Sequence, residues 1–133
     1  FKVLRDELKA EGAVFQSETD SEVVAHLVTH ELRRVNDPVV AVRNVLPRLH
    51  GAFALGFLFA GEQNLLIGAR KGAPLAVGKG DDGMYLGSDA FALAPFTDQV
   101  SYLNEGDWVV LRPDKAEFHD STNAIVDRPA VTT

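Results

Sequence analysis

The chain has no cysteine. That excludes disulfides and thiolate metal sites, removes any thiol nucleophile from these residues, and matches the usage of cytosolic proteins, so a cytoplasmic location is expected. A basic excess is also lacking: 13 Lys and Arg stand against 19 Asp and Glu, for a net charge of −6. The electrostatic footprint of a nucleic-acid binder is therefore missing. So are long apolar runs. The most apolar stretch, Ala52 to Ala60, is strand-sized and far below the ~20 residues of a membrane helix, and no membrane partner is expected. There is no basic segment leading into an apolar one, as a secretory signal would have. Internal repeats, low-complexity tracts and blocks of like charge are absent too.

What remains is the balance of an ordinary globular domain: 133 residues, 46% apolar and 24% charged, enough for one domain with its own core. Phe1, Leu4 and Leu8 recur at helical spacing among charged residues, and Gly12 suits the end of that helix. Because the chain opens inside this pattern at Phe1 and not at Met, a fragment of something longer is expected. Ala13 to Gln16 reads as a short strand. Thr19 and Glu22 then form a T-x-x-E capping box, opening a helix to about Arg34 with Val24, Leu27, Val28 and Leu32 on its buried stripe. Asp37 as N-cap and Pro38 behind it open a third helix, and Pro47 should bend or shorten it.

From Gly51 the apolar period changes to two. Phe53, Leu55, Phe57 and Phe59 alternate with Ala52, Ala54, Gly56 and Leu58, so this strand is buried on both faces. One face is bulky and the other small, which lets a further layer approach the small side closely. Hairpins follow: a turn over Ala60 to Gln63 with return strand Asn64 to Arg70, then Leu75 to Gly78 and Met84 to Ser88 around Gly80-Asp81-Asp82-Gly83. A short helix over Ala90 to Ala94 precedes strands at Gln99 to Leu103, Asp107 to Arg112 and Lys115 to His119. Residues from Asp120 onward are polar and patternless, and read as a tail or interdomain linker. Helices first and antiparallel hairpins afterwards make an α+β chain.

Several residues invite chemistry. Asp20 sits where a strand gives way to a helix. The partial positive charge of a helix N-terminus keeps such a carboxylate ionised, able either to complement the helix dipole or to receive a substrate ammonium. Glu22, His26 and His30 share one helical face. Two His at i, i+4 can chelate zinc, but H-E-x-x-H is not formed and a solvated stripe has the same spacing; no metal site is assigned. Gly78-Lys79-Gly80 lacks the glycine spacing of a phosphate loop, and Asp81-Asp82-Gly83 is ordinary turn chemistry. Arg70 and Lys71 end a strand and could hold an anion or be spent on surface ion pairs. Ser88-Asp89 is a plain N-cap, and Trp108 a core or half-buried strand residue.

The order of these segments resembles a known family. Leu4-Arg5-Asp6-Glu7-Leu8, Phe15-Gln16-Ser17-Glu18-Thr19-Asp20-Ser21-Glu22-Val23, Leu49-His50-Gly51-Ala52-Phe53-Ala54, Ala69-Arg70-Lys71-Gly72-Ala73-Pro74-Leu75, Gly87-Ser88-Asp89 and Leu103-Asn104-Glu105-Gly106-Asp107 look like the glutaminase domains of class II glutamine amidotransferases. Within that class they resemble those of the isomerising glutamine–fructose-6-phosphate aminotransferases. The resemblance implies an N-terminal-nucleophile hydrolase fold, incomplete at its N-terminal side, with two antiparallel sheets between helical layers. Residues 1–119 would be the C-terminal part of the domain and residues 120–133 the tail or linker.

Further implications concern activity. An N-terminal Cys would attack the side-chain amide of glutamine, and the ammonia would pass to a separate C-terminal sugar-isomerase domain making glucosamine 6-phosphate from fructose 6-phosphate. By matching position, Asp20 would bind the substrate α-ammonium. The family's Cys, its carboxylate-binding Arg and its Asn-Gly oxyanion segment would all precede Phe1, so no catalytic residue is assigned within the chain and no cofactor is implied. Ser21 stands where Thr is usual and Ala73 where Ser is usual. These 133 residues alone are expected to be inactive, to need the missing N-terminal segment, and to associate as a homo-oligomer that covers exposed sheet edges. Alternatives are a non-catalytic amino-acid-binding or scaffolding module of the same fold, and another class II parent such as amidophosphoribosyltransferase or asparagine synthetase.

Overall fold

A computed structural model describes residues 12–17, 21–59 and 62–132. The helix expected over Phe1 to Gly12 lies outside them, apart from Gly12 itself, which opens strand β1 (Gly12–Ser17). The Thr19–Glu22 capping box lies outside them as well, Glu22 by its side chain. Helix α1 (Ser21–Val35) follows, then α2 (Pro38–Val45) and a 3-10 turn, Leu46–Arg48. Asp37 caps α2 as the sequence suggests: its Oδ1 accepts the amides of Val39 at 2.9 Å and Val40 at 3.4 Å. The α-helical part of this segment stops one residue before Leu46-Pro47, because Pro47 offers no amide to continue the ladder.

Strands β2 (Phe53–Phe59), β3 (Glu62–Lys71), β4 (Ala76–Gly80) and β5 (Gly83–Gly87) come next, then the short helix α3 (Ala90–Leu93), β6 (Gln99–Tyr102), β7 (Trp108–Arg112) and β8 (Lys115–His119). The hairpin between β2 and β3 is tighter than expected, since β3 already begins at Glu62. The segment read as a patternless tail or linker carries β9 (Ile125–Val126) and β10 (Val131–Thr132). Their residues are largely exposed and too few to show a period, but their backbones pair with β8 and β6.

The strands form two sheets, β1-β2-β3-β7-β8-β9 and β10-β6-β4-β5. All strand pairings among the described residues are antiparallel. The α+β architecture is as expected, in four layers: α1 and α2, the six-stranded sheet, the four-stranded sheet, and α3. Strand β2 sets the order of the layers. Its bulky side, Phe53, Leu55, Phe57 and Phe59, packs with Val24, Val28, Val42 and Val45 of the helices. Each such buried side chain contributes roughly 1.5–3 kcal/mol of transfer free energy. Its small side joins a second core in which Ala54 meets Leu75, Val77, Leu86 and Leu103. Gly56 lies opposite Gly68 in the register, and a Cβ on Gly68 would stand 2.9 Å from Leu86 Cδ1 and 3.2 Å from Val109 Cγ1. The second sheet thus rests directly on backbone. On its outer face Leu93 of α3 does the same, 3.1 Å from where a Gly87 Cβ would be.

A carboxylate fastens the two helices together. Glu31, 6% exposed, accepts from Arg34 Nε at 3.0 Å and Nη2 at 2.6 Å, and from Asn44 Nδ2 of α2 at 2.7 Å. These hydrogen bonds, Arg34's first and Asn44's second, lower its pKa from 4.5 to about 2. A folded-state pKa below the unfolded one stabilises the fold at pH values above the unfolded pKa, and the contribution fades as pH falls toward the folded value. The stability advantage of the wild-type chain over Glu31→Gln should therefore be constant near neutrality and shrink from pH 4.5 to pH 2; urea titrations across that window would show it, and a flat difference would refute the assignment. Gly68→Ala should lose about 1–3 kcal/mol in the same assay, because Leu86 and Val109 are buried and cannot swing aside. An unchanged midpoint would mean that the sheets are not this close.

Candidate functional site

The end of the six-stranded sheet where β1 finishes gathers most of the polar chemistry. Ser17 pairs with Phe53, and Phe53 forms an isolated parallel bridge with Gly72. Ala69 lies opposite Trp108. The C-terminus of β1, the start of β2, the end of β3 and the start of β7 therefore share one edge of the molecule. Helix α1 opens from it, and the 3-10 turn after α2 leads back toward β2. Asp20, with Glu18 and Thr19, lies outside the described residues, between Ser17 and Ser21. What the topology supplies is the position of both ends of that connection. Ser17 is two strand spacings from Gly72, about 10 Å, and the N-terminus of a 15-residue helix follows directly, with its partial positive charge.

Across the same edge, Arg70 and the turn between β6 and β7 are tied together. Arg70 Nη1 donates to the Leu103 carbonyl at 2.9 Å and Nη2 to Glu105 Oε1 at 3.1 Å. The Glu105 carboxylate also receives the Gly72 amide, 2.9 Å from Oε1 and 3.0 Å from Oε2. Gly72 holds φ +74°, and a Cβ there would stand 2.8 Å from the Ala52 Cβ, so two independent constraints require glycine. Arg70 Nε is buried without a hydrogen-bond partner among the described residues.

Behind this lies Asp107, 1% exposed. Its Oδ2 accepts the Asn104 amide and Arg128 Nε, each at 2.8 Å, and its Oδ1 accepts Arg128 Nη2 at 3.3 Å. The carboxylate raises the pKa of the Arg128 guanidinium, chiefly through these hydrogen bonds. Trp108 is buried, donates Nε1 to Asn123 Oδ1 at 3.1 Å, and stacks on His119 with ring centroids 4.1 Å apart. His119 Nε2 lies 2.9 Å from Glu117 Oε1. A cavity of about 330 Å³ opens between these groups and the 3-10 turn, lined among others by Lys71, Trp108, Asn123 and Pro47.

The other residues singled out in the sequence are scattered. His26 and His30 are exposed on α1, and Glu31, off their line, is buried and engaged with Arg34 and Asn44. Among the described residues no cluster of three or more His, Asp or Glu could hold a metal ion. Gly78-Lys79-Gly80 leads into the β4–β5 turn and not into a helix. Asp89 caps α3 by accepting the Ala92 amide at 2.8 Å. Of the strand-end cations, Arg70 is spent on Leu103 and Glu105, while Lys71 is exposed beside the cavity. Sequence reasoning did not foresee the Glu105 and Asp107 connections or the reach of Arg128 and Asn123. The turn Asn104-Glu105-Gly106-Asp107 reads only as a turn, and partners 21 and 33 positions away leave no local periodicity.

Comparison with known proteins adds what these residues share with others. Residues 1–95 match the glutamine amidotransferase domain family. The isomerising glutamine–fructose-6-phosphate aminotransferase of Brucella abortus is 59% identical over 129 residues, 97% of this chain and 21% of that protein. Those of Zymomonas mobilis and Bradyrhizobium diazoefficiens are 57% and 56% identical over 131 residues, in each case 98% of this chain and 22% of the relative. The chain thus spans about a fifth of the length of the curated relatives it matches. Among solved structures, glutamine phosphoribosylpyrophosphate amidotransferase of B. subtilis superposes with a TM-score of 0.63 at 21% identity, covering 85% of this chain and 25% of that one. An allosteric regulatory enzyme of purine biosynthesis gives 0.60 at 23%, covering 93% and 26%. The shared fold is of the N-terminal-nucleophile hydrolase type, and the chain belongs to the glutamine amidotransferase domain family.

Proposed function

We propose that these residues are part of the glutaminase domain of an isomerising glutamine–fructose-6-phosphate aminotransferase, in which Asp20 binds the α-ammonium of glutamine. The observation that carries the reading is the β1–α1 connection. Asp20 immediately precedes Ser21, where α1 begins, and Ser17, where β1 ends, pairs at the edge where Gly72, Arg70 and Glu105 converge. A carboxylate at a helix N-terminus stays ionised across physiological pH, and a fixed cation such as an amino-acid ammonium needs a fixed anion to meet it. The identity of more than half over nearly the whole chain to aminotransferases of that name supports the choice of parent. The likeness to amidophosphoribosyltransferases supports the fold alone.

The chemistry needs a thiolate, which attacks the amide carbon of glutamine. Ammonia leaves, and water then cleaves the thioester to glutamate. No thiol exists among these 133 residues, so the nucleophile and its oxyanion donors come from polypeptide outside them. The ammonia would be consumed on fructose 6-phosphate in a C-terminal isomerase domain. A cytoplasmic location and self-association complete the reading. Among the described residues β1 and β5 are outer strands of their sheets, and such edges favour pairing.

Asp20→Asn in the full-length enzyme should raise the KM for glutamine at least about tenfold, the worth of a hydrogen bond to a charged group, with kcat little changed. An unaltered KM would remove Asp20 from the site. The 133-residue polypeptide itself should release no ammonia from glutamine until a segment carrying the cysteine is supplied. If the complete protein bound glutamine without hydrolysing it, the non-catalytic module would be the better description. Sedimentation of the chain at high concentration should show dimers or larger species, and a monomer throughout would count against self-association.

A further inference from the structure

We propose that the cavity between the 3-10 turn, the end of β3 and the segment after β8 is a binding site for a small organic monocarboxylate, held by Lys71. The groups that form it are all described residues, and their places owe nothing to the reading of Asp20.

The cavity, about 330 Å³, has the volume of a small-ligand pocket. Leu46, Pro47, Phe53 and Trp108 give it apolar walls. Its polar groups are few, and most are already engaged. Asp107 is closed off, because Arg128 and the Asn104 amide take both its oxygens. Glu105 is matched by Arg70 and the Gly72 amide. Asn123 Oδ1 accepts from Trp108 Nε1. What is left over lies on the donor side. Asn123 Nδ2 and the Ser121 hydroxyl line the cavity with no partner among the described residues. The Lys71 ammonium meets no carboxylate among them. Arg70 Nε, buried without an acceptor among the described residues, reflects the same shortage at that wall.

Charge points the same way. Arg70, Lys71 and Arg128 stand against Glu105 and Asp107, so one positive charge is uncompensated, at Lys71. An ammonium on a flexible stem meets an anion without demanding a fixed geometry. A carboxylate offers the lone pairs that an ammonium, a side-chain amide and a hydroxyl need, and the walls take an apolar body. Inorganic phosphate would use the charge and leave the walls bare. A neutral amide would use the walls and leave Lys71 without its anion.

The chain has a single tryptophan, and it lines the cavity, so its fluorescence reads occupancy directly. Benzoate titrated into the chain should change Trp108 emission saturably, with a Kd of about 1 mM or tighter, the scale for so small a ligand. Benzamide, the neutral isostere, and inorganic phosphate should each bind at least about tenfold more weakly. Lys71→Gln should weaken benzoate about three- to tenfold, the worth of a charge-assisted hydrogen bond at an exposed position, and Lys71→Arg should restore it. Lys71 is exposed, so neither substitution should move the urea midpoint. Emission that does not saturate, benzamide binding as well as benzoate, or Lys71→Gln binding benzoate as the wild type does would overturn the proposal. Phosphate binding as tightly as benzoate would overturn it too, since the apolar walls would then contribute nothing. The Asp20→Asn test reads the KM for glutamine and this one reads benzoate on Trp108, so the two sites fail separately.

Discussion

Strand β2 has no solvent side, and the rest of the structure follows from that constraint. An exposed strand face can be left to water, but a strand apolar on both faces needs a layer on each. Here the two faces differ in size. Phenylalanines and a leucine reach toward α1 and α2, while Ala54 and Gly56 leave room on the other side. The helical layer stands off by the length of those side chains. The second sheet settles almost onto backbone, with Leu86 against Gly68 of the neighbouring strand. Layer order and spacing are thus set by alternation along a single strand and by the register that aligns its glycine with that of β3.

This sandwich carries the site's geometry. Because β1 pairs with β2 antiparallel, the chain leaves β1 beside the start of β2, and α1 begins at Ser21. The end of β3 arrives at the same place, bringing Arg70, Lys71 and Gly72. The β6–β7 turn brings Glu105 and Asp107 from the other sheet's side. Arg70, at the end of β3, is not a bare anion trap. Arg70 serves as a brace between the sheets, with a main-chain carbonyl at one end and a carboxylate at the other.

Much of this was legible because the signals are local. Asp37-Pro38 announced a helix start, and the structure shows the capping bonds. The change to a period of two at Gly51 announced a strand buried on both sides, and a further layer does approach its small face closely. Gly80-Asp81-Asp82-Gly83 located the β4–β5 turn. The short strands past His119 were not legible: two residues carry no period, and what pairs them is the exposed edge of strands laid down earlier. The Glu105 and Asp107 contacts were hidden for a related reason. A carboxylate in a turn looks the same whether it meets water or an amide 33 residues away.

The amino-acid order by itself determined the kinds and order of the described elements up to His119, the apolar faces of α1 and β2, and the family to which the residues belong. Those properties depend on neighbours within a turn or two of helix, or on alternation along a strand, and on motifs read position by position. Tertiary structure alone decided that β3 pairs with β7 rather than with β4, that the last residues close both sheets, and that Glu105 and Gly72 meet. Those outcomes depend on which edges and amides are left unpaired once the layers have packed, and backbone hydrogen-bonding groups are the same at every residue but proline.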